Sequence, residues 1–233
     1  MADDPADDLA RERDRLDLLR RRLINVVGHE LKLPVSTIRG LVETLSQATP
    51  TEIHDEIAPA LARNCARLER LVDDLLLASG VLTVLPVEPP RPQPVGAAVE
   101  RAWSQVGGTG AVAIEGNPDA AVSARADAFD RILIALLDNA VKYGTAPVTV
   151  SVREGEKSVE VLVMSGAWPG DADDLALALE PFYRGEAAVT TAPGLGIGLS
   201  VAATLAVQDG GGVQIRARGD GSGAVVVVEL PRP

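Results

Sequence analysis

Residues 28–34, GHELKLP, place a histidine directly before a carboxylate, as His29 and Glu30. A neutral imidazole is a nucleophile, and its reference pKa of about 6.5 leaves histidine largely neutral near pH 7. An adjacent carboxylate can accept the ring proton while the imidazole attacks. The pair is therefore a candidate for nucleophilic chemistry, although an isolated helical histidine more often has no catalytic role. The other histidine, His54, is predicted to have none.

Residues 136–144, LLDNAVKYG, place Asn139 and Lys142 three positions apart, on one face of a predicted helix. An amide oxygen can ligate Mg²⁺, and an ammonium group can pair with a phosphate. The segment also fits an ordinary amphipathic helix with a polar outer stripe. Its spacing alone leaves both interpretations open.

Residues 194–200, GLGIGLS, carry glycine at every second position, as Gly194, Gly196 and Gly198. Backbone amides without side chains can approach an anion closely, and the N-terminus of the helix predicted at about 198–208 adds partial positive charge. No Lys–Ser/Thr pair follows, and no strand precedes the run, so it is neither a P-loop nor a dinucleotide fingerprint. The sequence alone does not decide whether this segment is a phosphate-binding loop or a flexible loop.

The composition predicts a soluble protein with an aliphatic core. Of 233 residues, 46% are hydrophobic but only 3% are aromatic, and 33 acidic residues against 22 basic ones give a net charge of −11. Such a charge disfavours nucleic-acid binding. The single cysteine, Cys65, excludes an intrachain disulfide and a cysteine-based zinc cluster. With no signal peptide and no apolar run near the roughly 18 residues of a membrane span, we expect a cytoplasmic location, with membrane contact only through a domain absent from this chain.

Leucines at seven-residue intervals, Leu9, Leu16 and Leu23, predict a long amphipathic helix with a narrow apolar stripe. The pattern continues past Pro34, where a local kink is expected. Residues 48–52 break the helix, and Thr51 is the predicted cap of the next one.

A second apolar stripe at spacings of three and four predicts another helix from Ile53 to Leu75. Two such helices with a short connection form an antiparallel hairpin. Because one hairpin cannot cover both stripes, we expect a homodimer in which two chains form a four-helix bundle. Residues 1–84 are assigned to this dimerisation hairpin.

Residues 85–94 contain five prolines and are predicted to be a stiff linker. Residues 95–233 alternate between helical and strand periods. They predict one α+β sandwich, with a sheet covered by helices on one face. The predicted helices span about 95–106, 127–143 and 198–208, and the predicted strands lie near 112–114, 121–124, 147–152, 159–163, 213–218 and 224–230.

With EPFYRGE at 180–186 and ARLERLVDDLLLASG at 66–80, these segments resemble the sensor histidine kinases of two-component systems, in the order usual for that family. GHELKLP resembles the H box, LLDNAVKYG the N box, EPFYRGE the F box and GLGIGLS the G2 box. The resemblance covers roughly residues 20–217. It implies an α+β protein in which a dimeric helical hairpin precedes a Bergerat-type ATP-binding α/β sandwich at 95–233.

The resemblance implies ATP and Mg²⁺ as cofactors and a histidine kinase as the activity. His29 would attack the γ-phosphate, Glu30 would orient or deprotonate its ring, and the phosphoryl group would pass to an aspartate of a response regulator. Asn139 would hold Mg²⁺ and Lys142 the phosphates. The other implied nucleotide-binding residues are Tyr143 beside the adenine, Arg184 near the γ-phosphate, and Gly194, Leu195, Gly196, Ile197, Gly198 and Leu199 in the phosphate-side loop.

The chain departs from the family where an aspartate of an Asp-x-Gly-x-Gly run normally binds the adenine amino group. Residues 161–170 read VLVMSGAWPG, and strand alternation puts Ser165 at the aspartate position and Ala167 at the first glycine, whereas a shift by one residue puts Met164 there. Losing a hydrogen bond to a charged group costs about 1.5–3 kcal/mol, so ATP binding is predicted to weaken roughly 10- to 150-fold. Substitution by a loop aspartate, Asp171, Asp173 or Asp174, stays open.

Two further departures concern metal binding and phosphatase activity. Ala135 stands where the N box often begins with a polar residue, so Asn139 would act alone. Leu33 stands four positions after the histidine, where phosphatase-competent relatives usually carry Thr or Asn, and weak phosphatase activity is predicted. The alternative to an active kinase is a catalytically impaired pseudokinase that serves as a dimeric phosphotransfer or interaction scaffold.

Overall fold

The computed structural model describes residues 27, 28, 30–78, 88–108, 111–145, 147–166, 175, 177–185, 194–218 and 223–233. The chain divides into two compact units: the first ends at Leu76 but also includes Gly194 and Leu195, and the second comprises the other described residues from Leu77 onward. The first unit is helical, and the second holds the strands and helices that follow. No helix within the described part of the chain is both long enough and apolar enough to span a lipid bilayer.

The first unit contains two helices joined by a short turn. Helix α1 covers residues 30–44 and continues across Pro34. Helix α2 begins with the turn Pro50–Glu52, passes through the π-helical stretch Ile53–Ile57 and continues as Ala58–Ala78. The wide π-turn stands directly before Pro59, which cannot donate a helical hydrogen bond and would clash with the carbonyl four residues back. This turn explains how a long helix accommodates the proline.

The N-terminus of α2 is capped by Thr49 rather than by Thr51, so that prediction was wrong by two residues. The Glu52 N–H donates to the Thr49 hydroxyl at 3.3 Å, and the Thr49 N–H donates to the Glu52 carboxylate at 2.8 Å. This reciprocal pair is a capping box, and the two bonds from the Thr49 backbone and side chain hold the pKa of Glu52 below its ordinary value. The acid three residues after Thr49, which Thr51 lacks, decides between the two threonines.

The second unit is a mixed α+β fold, which confirms the predicted class. A small antiparallel sheet pairs β1 with β3, and a five-stranded sheet has the order β2-β4-β5-β7-β6. Within the larger sheet β2 runs parallel to β4 and the remaining neighbours are antiparallel. The strands are β1 Arg91–Pro94, β2 Ala113–Gly116, β3 Ala121–Ala124, β4 Thr149–Glu154, β5 Ser158–Met164, β6 Gly212–Ala217 and β7 Ala224–Pro231, and the helices are α3 Val95–Gln105, α4 Ala126–Tyr143 and α5 Gly198–Gln208.

Strand β1 corrects the linker prediction, because residues 91–94 belong to a sheet. Pro92 pairs with Ser123 and Pro94 with Ala121. Proline cannot donate to a ladder, but both strands of a two-stranded sheet have an outer edge where no donor is needed. Prolines that exclude a helix therefore do not exclude an edge strand.

The core of the second unit is aliphatic, as the composition predicts. Val152, Val161 and Val228 are register partners on three adjacent strands and are buried. Helix α4 packs between α3 and α5 and against β5, while α5 packs on β6 and β7. The fully buried residues of these helices include Phe129, Ile132, Leu133, Leu136, Leu137 and Leu205.

Candidate functional site

Helices α4 and α5 run antiparallel, which brings two of the sequence motifs to the same end of the unit. At one end, the Arg125 guanidinium donates to the Asp209 carboxylate at 2.7 Å, and both side chains are buried. The Arg125 N–H donates to the second carboxylate oxygen at 3.1 Å. Further along, a Cβ built on Gly198 would lie 3.8 Å from the Cβ of Ala135. The middle of α4 therefore lies beside the start of α5, and the last turns of α4 extend beyond that start.

The polar residues of LLDNAVKYG occupy these last turns of α4. Asn139 is half-buried and lies one turn beyond Ala135 on the same helical face. The Lys142 ammonium forms an ion pair with Asp138 at 2.7 Å, and both side chains are about one-third exposed. Tyr143 ends the helix and is half-buried. The sequence analysis missed Asp138, although its spacing of four from Lys142 is a signal for such a pair.

Ser165 lies directly against the end of α4, which favours the register with this residue at the aspartate position. Ser165 is 8% exposed and continues the buried alternation of Val159, Val161 and Val163, whereas Met164 is half-buried on the other face. A Cβ on Gly144 would collide with the Cβ and hydroxyl of Ser165. Glycine is therefore required at 144 for this approach. Ala167, Asp171, Asp173 and Asp174 lie outside the described residues.

The glycine run contacts the EPFYRGE segment through its backbone. The Phe182 N–H donates to the Gly196 carbonyl at 2.9 Å, and Phe182 has a positive φ of 65°. Gly196 has a φ of 70°, and a Cβ there would stand 2.6 Å from the Tyr183 carbonyl oxygen and 2.8 Å from Cγ of Arg184. Gly196 is thus required by a close backbone approach, and that approach places Arg184 beside the run.

The N-terminus of α5 has the features of an anion site. Ile197 is its N-cap residue and provides no side-chain hydrogen bond, and Gly198, the first helical residue, is exposed. The first-turn N–H groups, which have no intrahelical partner, are consequently not capped by a side chain. Leu195, Ile197 and Leu199 are buried, and Gly194 has a φ of 153°.

The described residues suit a magnesium ion shared with a nucleotide rather than a metal held by protein alone. None of the described residues belongs to a cluster of three or more His, Cys, Asp or Glu side chains. Mg²⁺ commonly takes one or two protein oxygens, substrate phosphates and water. Asn139, which is half-buried one turn beyond Ala135 on α4, carries an amide oxygen of the required kind.

In the helical unit, His29 lies outside the described residues, whereas Glu30, the next residue, lies within them. Glu30, in α1, is 8% exposed, and the Arg67 guanidinium of α2 lies 3.9 Å from its carboxylate. Leu33, one turn after position 29, is 51% exposed. The sequence analysis gave Arg67 no role, because a contact between two helices leaves no local spacing signal.

His54 shows that a histidine beside an acidic residue does not by itself identify a phosphoacceptor. Its Nδ1 lies 2.8 Å from the Asp55 carboxylate, and its side chain is 89% exposed. The sequence analysis gave this histidine no such partner. The surrounding motif, and not the adjacent carboxylate, distinguishes position 29.

Two family models match the chain and together cover well over half of it. Residues 19–80 match the His Kinase A (phospho-acceptor) domain. Residues 124–233 match the histidine kinase-, DNA gyrase B- and HSP90-like ATPase. The two matches fall on the helical hairpin and on the α/β unit.

Similar proteins agree with these matches. The chain is 28% identical over 236 residues to the sensor protein SrrB of Staphylococcus aureus. The aligned region covers 94% of this chain and 39% of SrrB. The Acinetobacter baumannii histidine kinase AdeS has a TM-score of 0.53 at 22% identity, over 88% of this chain and 98% of that one. Full-length ShkA in complex with AMPPNP has a TM-score of 0.58 at 19% identity, over 91% of this chain and 46% of that one. At these identities the two structures support the fold alone.

Proposed function

The chain belongs to the sensor histidine kinases, and from that premise we propose that it phosphorylates His29 with ATP and passes the phosphoryl group to an aspartate of a response regulator. The observation that supports this proposal is the packing of the N-box helix against α5, whose start lies beside Ala135 and receives no side-chain hydrogen bond from its N-cap residue. An ATPase that lacked a phosphoacceptor would leave the match at residues 19–80 without a purpose.

At the nucleotide, we assign each group by its chemistry. The first-turn N–H groups of α5, which have no intrahelical partner, bind phosphate oxygens, and the helix dipole favours their negative charge. Asn139 would supply one oxygen ligand to Mg²⁺, and the bound ion would neutralise phosphate charge. Lys142, held by Asp138, and Arg184, held beside Gly196, add positive charge. Tyr143 borders the base.

At the phosphoacceptor, a ring nitrogen of His29 attacks the γ-phosphorus and a nitrogen–phosphorus bond forms. The bond from that phosphorus to the bridging oxygen breaks, and ADP leaves with its electron pair. The Glu30 carboxylate takes the proton from the other ring nitrogen. Little covalent chemistry falls to the protein, so positioning and charge neutralisation provide most of the rate.

We propose weaker ATP binding than an aspartate-bearing site would have. Ser165 is buried at the aspartate position and presents a neutral hydroxyl in place of a carboxylate. The difference of about 1.5–3 kcal/mol corresponds to roughly 10- to 150-fold in affinity.

We also propose weak phosphatase activity, because the exposed Leu33 side chain cannot orient an attacking water molecule. Adding the kinase to a phosphorylated cognate regulator should leave the lifetime of its phosphoaspartate nearly unchanged, and Leu33→Thr should shorten it. Robust dephosphorylation by the wild type that is lost in Glu30→Gln would overturn this assignment.

The partners we propose are a second copy of the chain, through the hairpin, and a response-regulator receiver domain in the cytoplasm. The hairpin leaves apolar side chains exposed on both helices. Since these would be covered in a four-helix bundle, they support the homodimer.

The decisive experiment is incubation of the purified chain with γ-labelled ATP and Mg²⁺, beside His29→Ala and Asn139→Ala. We expect acid-labile label on the wild type, none on His29→Ala and much less on Asn139→Ala. The absence of label at millimolar ATP would instead support the pseudokinase scaffold, which Ser165 and Ala135 favour by standing where an acid and a polar residue are usual.

A further inference from the structure

The buried serine after β5 places its hydroxyl against the end of the N-box helix. Ser165 is 8% exposed and continues the buried face of β5. A Cβ built on Gly144 would collide with the Ser165 hydroxyl oxygen, so this oxygen lies against the residue that follows Tyr143. The hydroxyl is therefore close to the helix end where the proposed function has Tyr143 border the base.

The backbone on both sides of this contact is held by hydrogen bonds. The Gly166 N–H donates to the Thr145 carbonyl at 2.7 Å, which joins the segment after β5 to the segment after α4. The Gly144 N–H donates to the Ala140 carbonyl at 3.0 Å. The fold thus sets the position of the buried Ser165 oxygen, whereas the hydrogen of a hydroxyl rotates to suit its partner.

A hydroxyl and a carboxylate differ here in the direction of the hydrogen bonds that they form. An ionised carboxylate only accepts, whereas a hydroxyl both donates and accepts. Adenine carries an amino donor at position 6 of the purine, and a 6-oxopurine carries an acceptor oxygen there. A carboxylate facing that oxygen would leave two acceptors without a donor, which a buried site penalises. A serine hydroxyl can pair with either group.

We propose that the base site accepts 6-oxopurine nucleotides about as well as adenine nucleotides, and that Ser165 determines this specificity. The inference rests on the proposed nucleotide site and names the substrates of that site as purine nucleoside triphosphates with either substituent at position 6. When ITP is the phosphoryl donor, IDP leaves in place of ADP and the other bond changes are those of the ATP reaction. The base itself takes no part in them.

The test is calorimetric titration of the full chain with ADP and with IDP in the presence of Mg²⁺. These diphosphates carry the two bases without a γ-phosphate, so binding is measured without phosphoryl transfer. We expect the two dissociation constants of the wild type to agree within about ten-fold, because the hydroxyl pairs with both bases. Ser165→Asp should shift their ratio towards ADP by roughly 10- to 150-fold, since a carboxylate pairs only with the amino group.

Met164→Asp is the matched control, because it adds the same charge one position earlier, on the opposite face of β5. Its ratio of the two dissociation constants should equal that of the wild type. Ser165→Ala should weaken both nucleotides by similar factors. The ratio within one variant does not depend on how much of that variant is folded, and a purely structural role of Ser165 would leave it unchanged.

Two binding results would overturn the inference. One is a wild type that prefers ADP over IDP by more than about ten-fold, because a hydroxyl that pairs with both bases gives no such preference. The other is an unchanged ratio in Ser165→Asp. Failure of both diphosphates to bind at millimolar concentration would equally overturn it.

A labelling arm separates this inference from the proposed kinase activity. The full chain is incubated with γ-labelled ATP or γ-labelled ITP, and both should label it with similar kcat/KM. If ATP gives no label, the proposed kinase activity fails, yet similar affinities for ADP and IDP would still support the inference about the base. Label from ATP with none from ITP would overturn the inference and leave the kinase activity intact.

Discussion

The two units of this protein bury their apolar residues to different extents. In the α/β unit, side chains such as Phe129, Leu133 and Val161 are fully buried. In the hairpin, Val35 and Val42 stand seven positions apart on α1 and are about half exposed, and Val72 on α2 is 43% exposed. A sheet with a helical layer closes its own core, but two helices cannot cover both of their faces. The difference supports the proposal that two hairpins pair, whereas the α/β unit closes its core within one chain.

The ion pairs repeat this contrast. The α/β unit encloses a tight pair between Arg125 and Asp209 that aligns α4 with α5. The hairpin holds Glu30 and Arg67 at a longer distance. The tight pair therefore joins two helices of the α/β unit by hydrogen bonds, whereas the contact within the hairpin is longer than a hydrogen bond.

The largest expected effect is loss of the dimer when charge enters the exposed apolar stripes. Val42→Glu with Val72→Glu would bury unpaired carboxylates in both copies, at a cost of about 3–5 kcal/mol for each uncompensated charge. Sedimentation should show a dimer for the wild type and a monomer for the double variant. Ser36→Glu, on an exposed position of α1, should remain dimeric. A monomeric wild type, or a dimeric double variant, would show that the exposed apolar residues of the hairpin are not a dimer interface.

The second-largest expected effect is on the free energy of unfolding of the α/β unit. Asp209→Ala leaves the buried Arg125 guanidinium without its carboxylate and should lower the free energy of unfolding by about 3–5 kcal/mol. Denaturant unfolding can be followed through Trp103 in α3. Asp130→Ala is the control, because it removes an equally short but more exposed pair with Arg101 and should cost less than about 1 kcal/mol. Similar losses in the two variants would contradict the role given to the buried pair.

A smaller effect is expected on ATP affinity when the residue at the adenine-binding position, Ser165, is changed. Ser165→Asp should tighten ATP binding by roughly 10- to 150-fold, as measured by calorimetric titration. Met164→Asp, the other possible register, should give no gain, since Met164 is on the opposite face of β5. Equal gains from both, or none from Ser165→Asp in a folded variant, would show that the adenine is bound elsewhere.

The smallest effect concerns the exposed capping box of α2. Because Thr49 holds the folded pKa of Glu52 below its ordinary value, the stabilisation is complete above that ordinary value and is lost as pH falls through the folded pKa. The melting temperature of Glu52→Gln should therefore lie below that of wild type at pH 7, and the gap should close in acid. A gap that persists in acid would assign the effect to something other than the carboxylate charge.

Local patterns predicted most of the elements in the α/β unit. The helix expected at 127–143 is Ala126–Tyr143, and the one expected at 198–208 is Gly198–Gln208. The strand expected at 121–124 is Ala121–Ala124. These segments have apolar spacing and turn residues that agree with one another. Two predictions were wrong: the helix cap at Thr51 and the linker through residue 94. The true cap depends on a hydrogen bond with Glu52, and residues 91–94 form a strand because they pair with β3. Composition shows neither partner.

The sequence by itself determined the family and the candidate site residues, because a histidine beside an acid, an amide side chain and a glycine run are properties of residue type and short spacing. The tertiary structure decided what holds those groups. Arg125 and Asp209, 84 positions apart, align the two site helices. Gly196 meets Phe182 and Arg184, Ser165 meets Gly144, and Arg67 faces Glu30. Such contacts join elements that are distant along the chain, so they leave no period in the sequence and arise only when the core and the hairpin have formed.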